Sequence, residues 1–106
     1  MVKIEWSELA ISQLKDIYQY YTSNVNPITA TRIINRIVKR VEILQKHPLS
    51  GQKEDLLYDY PEDFRYLVES NYKIIYWIET ELITIATVFD CRQNPEKIKI
   101  SEYLKN

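Results

Sequence analysis

The chain has 106 residues, 45% apolar and 27% charged, a globular composition that excludes a disordered chain and predicts one domain over residues 1–106. Its one glycine, Gly51, excludes a glycine-rich phosphate loop, and its one cysteine, Cys91, excludes an internal disulfide. A formal net charge of −1 argues against a grip on nucleic acid by bulk electrostatics, no apolar run is long enough for a membrane span, and the acids in MVKIEWSELA do not fit a signal peptide, so a reducing cytoplasm is the expected setting.

Val2, Ile4 and Trp6 alternate with Lys3 and Glu5, which predicts a strand. Ser7 ends it and is a good helix cap. Ala10, Ile11, Leu14, Ile17, Tyr18 and Tyr21 then recur at three- and four-residue spacing, the pattern of an amphipathic helix of about four turns. After a turn-rich break, Asn26 as cap and Pro27 at the first helical position begin a second helix. Its stripe is Ala30, Ile33, Ile34, Ile37, Val38, Val41 and Leu44, and it stops before Pro48. The short loop makes an antiparallel hairpin, and Leu49-Ser50-Gly51 turns out of it. The one histidine, His47, reads as a cation near a helix end.

Residues 64–69, 72–79 and 82–90 are rich in β-branched and aromatic side chains, and Ser70-Asn71 and Thr80-Glu81 separate them as two-residue turns. They predict a three-stranded meander, with residues 56–60 as a short additional strand and Ile98, Ser101, Glu102 and Leu104 in a short terminal helix. The order implies an α+β domain: an N-terminal strand, then an antiparallel helix hairpin on a small, mainly antiparallel sheet of three to four strands. Counting through the turns puts Leu67, Tyr72, Ile74, Tyr76, Ile78, Ile83, Ile85, Thr87 and Phe89 under the helices. The second face then carries Phe64, Tyr66, Val68, Lys73, Ile75, Trp77, Thr84, Ala86, Val88 and Asp90, and by the same parity Arg92. That face is too apolar for a wet one, so it is expected either to lie under the terminal helix or to bind a partner. Lys73, Arg92 and Tyr66 would stand around it, while Arg65 belongs near the edge of the helix-covered face in a structural role.

Arg32, Arg36, Lys39 and Arg40 make a basic stripe on the second helix, and Glu54, Asp55, Asp59, Glu62, Asp63 and Glu69 an acidic stretch; a solvated surface explains both. A contact with an acidic protein or nucleic acid is the functional alternative for the stripe. Cys91 reads as a small packed residue rather than a nucleophile. No CxxC, HExxH or paired-acid pattern points to a metal or cofactor.

Several pieces in order resemble the RelE/ParE superfamily of bacterial type II toxins over nearly the whole chain. They are Ile4-Glu5-Trp6-Ser7 with Ala10, Leu14 and Ile17; the hairpin with its Pro48-Leu49-Ser50-Gly51 exit; Arg65-Tyr66-Leu67 before Tyr72-Lys73-Ile74-Ile75-Tyr76; and Val88-Phe89-Asp90-Cys91-Arg92-Gln93-Asn94-Pro95. The resemblance implies a small curved sheet on a helix hairpin and growth inhibition relieved by a cognate antitoxin. It leaves two targets: ribosome-bound mRNA, cleaved without a metal, or DNA gyrase. The nuclease branch carries strand lysines, a central arginine, and a late arginine and tyrosine. Here Lys73 takes the central position and Arg92 the late cation, while Phe64 and Tyr66 stand at lysine positions and Ile98 at the tyrosine position, with Tyr103 further on. The depleted set favours the gyrase-type or an uncharacterised target over the nuclease, with Lys73, Arg92 and Tyr103 as the catalytic candidates if it is one. A toxin fold kept as an inert binding module is the remaining alternative. Tyr66, Lys73, Ile75, Trp77 and Arg92 are the expected partner- or target-binding residues; no cofactor, metal or membrane is expected.

Overall fold

The computed structural model of the protein describes residues 2–92. Strand β1 (Lys3–Trp6) ends at Ser7, whose hydroxyl oxygen accepts from the Ala10 N–H at 2.9 Å and so caps α1 (Glu8–Asn24). Asn26 repeats the device, accepting from the Thr29 N–H at 2.7 Å, and Pro27, with no N–H to satisfy, opens α2 (Pro27–Glu42). One 3-10 turn, Ile43–Gln45, carries the chain on toward Pro48. Much of each helical stripe then buries: Ala10 and Ile17 from α1, Ile37 and Val41 from α2, and Leu44 pack on Leu67, Ile74, Tyr76, Ile83 and Ile85, while Ile11 and Tyr18 of the α1 stripe stay exposed. Each such fully buried aliphatic side chain is worth about 1.5–3 kcal/mol, which holds the hairpin on the sheet.

The sheet has five strands in the order β1-β5-β4-β3-β2. The meander of β3 (Asp63–Glu69), β4 (Tyr72–Ile78) and β5 (Leu82–Asp90) forms as expected, with Glu69 opposite Tyr72 and Arg65 opposite Tyr76. Ser70 adopts φ 54° in the tight reversal between β3 and β4. Two pairings exceed the sequence expectation. β1 lies parallel to β5, from Lys3 opposite Leu82 to Trp6 opposite Ile85, and β2 (Gln52–Lys53) is a two-residue strand against β3. Residues 56–60, expected as a strand, are not one. The Glu54 carboxylate accepts from the Leu56 N–H at 3.1 Å and bends the backbone into the 3-10 turn Asp55–Leu57. The expected terminal helix lies outside the described residues.

A β-bulge changes the faces of β5. Tyr76 stands opposite Ile85 but Ile75 opposite Thr87, so Ala86 has no partner on β4. Beyond Ile85 the outer edge of β5 has also run past the end of β1, and α1 supplies the missing partners. The Ser7 hydroxyl donates to the Ala86 carbonyl at 2.8 Å, and the Gln13 side-chain oxygen accepts from the Val88 N–H at 2.7 Å. Val88 consequently joins Ile74 in the helix-side core, Asp90 stands opposite Tyr72, and Phe89 stands opposite Lys73. This reverses the parity count for Thr87, Val88, Phe89 and Asp90. Cys91 is exposed rather than packed.

The exit from the hairpin is tied to the sheet through Tyr76, whose side chain is fully buried. Its hydroxyl donates to the Pro48 carbonyl at 3.0 Å and accepts from the Gly51 N–H at 2.9 Å. Arg65 donates to the Gly51 carbonyl at 3.1 Å, which gives it the structural role its position suggested. A Cβ at position 51 would stand 2.8 Å from the Tyr66 carbonyl and closer still to the Tyr76 ring and hydroxyl. Glycine is therefore required by close approach. Tyr76→Phe strips two backbone groups of their partner and should cost about 2 kcal/mol. Gly51→Ala should cost about 1–3 kcal/mol through overpacking. Urea unfolding followed by circular dichroism checks both, and a shift below about 0.5 kcal/mol for each would mean that this tie is not formed.

Candidate functional site

The second face of the sheet is a small core of its own. Phe64, Ile75, Trp77 and Ala86 cluster with Leu57 from the 3-10 turn, and Tyr60 and Tyr66 pack against them. Phe64 meets Trp77 edge to face at 5.4 Å between ring centres, a favoured aromatic geometry. Ile75 is fully buried and Trp77 is 7% exposed, so these two expected partner-binding residues lie inside this cluster and do not form an open patch. Tyr66 keeps contact with solvent, and its hydroxyl donates to the Gln52 side chain at 2.8 Å. Lys73 sits over the Tyr66 ring at 4.2 Å and forms an ion pair with Glu54. Glu54 is 4% exposed, which removes it from the solvated acidic stretch to which the sequence assigned it.

Arg92 is elsewhere. The bulge has turned this end of β5 over, and Arg92 lines a depression of about 410 Å³ on the helix side with Gln13, Asp16, Tyr20 and Tyr72. Its guanidinium grips the Asp90 carboxylate as a fork, Nε at 3.0 Å and Nη2 at 2.7 Å, and the Arg92 backbone N–H adds a bond at 2.9 Å. At the base of this depression the Tyr72 hydroxyl is 3.5 Å from that of Tyr21. Burial, with the Tyr21 hydroxyl adding to it, pushes the Tyr72 phenol far above its usual range and keeps it protonated. Lys73 and Arg92, expected on one face, are thus on opposite faces, each against a carboxylate. Tyr103 lies outside the described residues.

The partners Glu54 and Asp90 and the brackets Ser7 and Gln13 were not singled out from the sequence for these roles. Glu54 was hidden in a run of acids. Nothing in the apolar run of β5 marks the bulge except Ala86, a poor strand former among β-branched neighbours. Among the described residues no cluster of His, Cys, Asp and Glu could hold a metal ion, and no helix is long and apolar enough to cross a membrane.

The hydrogen bonds from Arg92, the largest influence, hold the Asp90 carboxyl below its ordinary value of 3.8 against the burial that raises it. A carboxyl lowered in the folded state contributes stability above its unfolded value, and that contribution is lost as pH falls through the folded value. Between about pH 5 and pH 2, wild type should therefore lose more thermal stability than Asp90→Asn, whose acid limb is flatter. Melting curves of the two proteins across that range check this; parallel acid limbs would mean the pair does not form in solution.

The fold and its two charged clusters can be set beside known proteins. A chain described as "Chromosomal ParDE TA system from P. aeruginosa" superposes with a TM-score of 0.70 at 22% identity, covering 85% of this chain and 96% of that one, which shows a shared fold. No curated protein sequence matches the chain. The sequence matches the family described as the ParE toxin of type II toxin-antitoxin systems, parDE, over residues 4–95, which takes in both helices and all of the sheet but Lys3, the first residue of β1. The chain belongs to the ParE family of type II toxins.

Proposed function

We propose that this toxin arrests bacterial growth by acting on DNA gyrase, and that a cognate antitoxin restrains it. The observation that carries the choice of target is the separation of Lys73 from Arg92. Metal-free RNA cleavage needs cations aimed together at the charge that develops on one phosphate. Here the two lie on opposite faces of the sheet, and Glu54 and Asp90 already neutralise them. Lys73 is better explained as the partner that allows Glu54 to be buried, since an unpaired buried carboxylate costs about 3 kcal/mol or more.

With purified toxin, gyrase-dependent supercoiling should stall and cleaved gyrase–DNA complexes should accumulate, while mRNA in a translating extract stays intact. Ribosome-dependent cuts in mRNA with supercoiling unaffected would overturn this target. A double variant, Glu54→Gln with Lys73→Met, removes the cation without stranding a buried charge. It should still arrest growth when induced alone, whereas a nuclease relying on Lys73 would lose about a hundredfold or more in rate.

The hairpin is the better site for the antitoxin, because Ile75 and Trp77 are already buried. Ile11, Leu14, Tyr18 and Ile34 line an apolar depression of about 280 Å³ between α1 and α2, with Ile11 and Tyr18 around two-fifths exposed. Such a groove suits an apolar segment that folds as it binds. Ile11→Glu with Tyr18→Glu should weaken antitoxin binding at least about tenfold, a loss of some 1.4 kcal/mol, and leave growth arrest intact. Unchanged affinity in a pull-down titration would exclude this groove.

A further inference from the structure

The positive charge of the chain is not spread evenly. Residues 17–41 hold four cations and no acid, whereas the rest of the chain holds ten cations against fifteen acids. Three of the four, Arg32, Arg36 and Lys39, line one exposed depression of about 430 Å³ on α2, together with Thr31, Asn35 and Ile28. Among the described residues none of these three cations is in an ion pair, in contrast to Lys3, Lys53, Arg65, Lys73 and Arg92, each of which has a carboxylate partner. The fourth, Arg40, turns toward the sheet and donates to the Val68 carbonyl at 3.4 Å. A helix that puts three unpaired cations along one line meets their mutual repulsion in the free protein, and an anionic partner relieves it.

The lining decides which anion. Arg32 to Lys39 spans roughly 10 Å along the helix axis. Over that length a nucleic-acid duplex presents about one phosphate per 1.7 Å of axis counted over both strands. Thr31 and Asn35 between the cations are the neutral groups that bond phosphate and sugar oxygens. No aromatic ring lines the depression, so it lacks the stacking platform that holds single strands. Ile28 is its one apolar residue, whereas an acidic protein segment would be expected to seat several apolar anchors. We propose that the α2 face bearing Arg32, Arg36 and Lys39 binds the phosphate backbone of a nucleic-acid duplex without reading its sequence. This goes beyond the gyrase reading and does not depend on it. The net charge of −1 opposes the contact at long range, but screening over about 10 Å at 0.1 M salt leaves the local stripe to act by itself.

The test uses the purified full chain and fluorescein-labelled duplexes of about 20 base pairs, one DNA and one RNA, of arbitrary sequence, with binding read by fluorescence anisotropy from about 50 to about 200 mM salt. Three phosphate contacts predict a slope of log K against log salt near −2.7, or about fortyfold weaker binding across that range. DNA and RNA should bind within severalfold of each other, since the backbone is the shared feature. Arg32→Gln with Arg36→Gln should bring the slope to about −1, with wild-type circular dichroism because both positions are exposed. Lys3→Gln with Lys53→Gln removes the same charge elsewhere and should leave the slope near the wild-type value. An equal loss in this control, no measurable binding at the lowest salt, or tighter binding of poly-glutamate than of either duplex would each overturn the proposal.

Discussion

One unpaired residue in β5 decides the chemistry of both faces of the sheet. Ala86 is skipped in the ladder with β4, and its carbonyl is taken by the Ser7 hydroxyl that also caps α1. Side chains alternate across a strand, so one extra residue moves everything beyond it to the other face. Val88 becomes core, Asp90 stands opposite Tyr72, and Arg92 follows to the helix side. A regular β5 would have set Lys73 opposite Val88 and left Arg92 on that same face, four residues further along the chain. The bulge is held because backbone groups on the edge of β5 need partners where β1 ends, and Ser7 and Gln13 are placed by the first turns of α1 to supply them.

The charged side chains on the two faces are consequently structural before they are anything else. The Glu54–Lys73 pair links the 3-10 turn to β4 and closes the second core around Phe64, Ile75 and Trp77. The Asp90–Arg92 fork ties the end of β5 to itself. On α2 the balance is the other way. Helix propensity and the buried stripe of Ala30, Ile37 and Val41 account for the helix, and neither requires arginine at positions 32 and 36. Cations that the fold does not use are the ones free for a partner.

Membership of the ParE family rests on the match of residues 4–95, whereas the separation of Lys73 from Arg92 rests on the geometry of β4 and β5. The hairpin groove and the basic face of α2 are lined by side chains that make none of the sheet's ladder contacts, so either can vary while the scaffold stays the same.

The sequence by itself determined what local rules govern. Caps at Ser7 and Asn26, the proline start of α2, the two helices, the turn at Ser70-Asn71 and the β3–β4 register all form as read, because each depends on residues within a few positions. The family resemblance was legible for the same reason, being carried by short pieces in a set order. Tertiary structure alone decided the rest. The parallel partner of β1 lies some eighty residues away, and β2 is two residues long with no periodicity to show. Glu54 is buried because Lys73 comes from another element to meet it. The bulge at Ala86 depends on an acceptor and a hydroxyl that only the packed α1 brings together. Which face Arg92 occupies was therefore never local information. It was settled by how one helix satisfies the open edge of one strand.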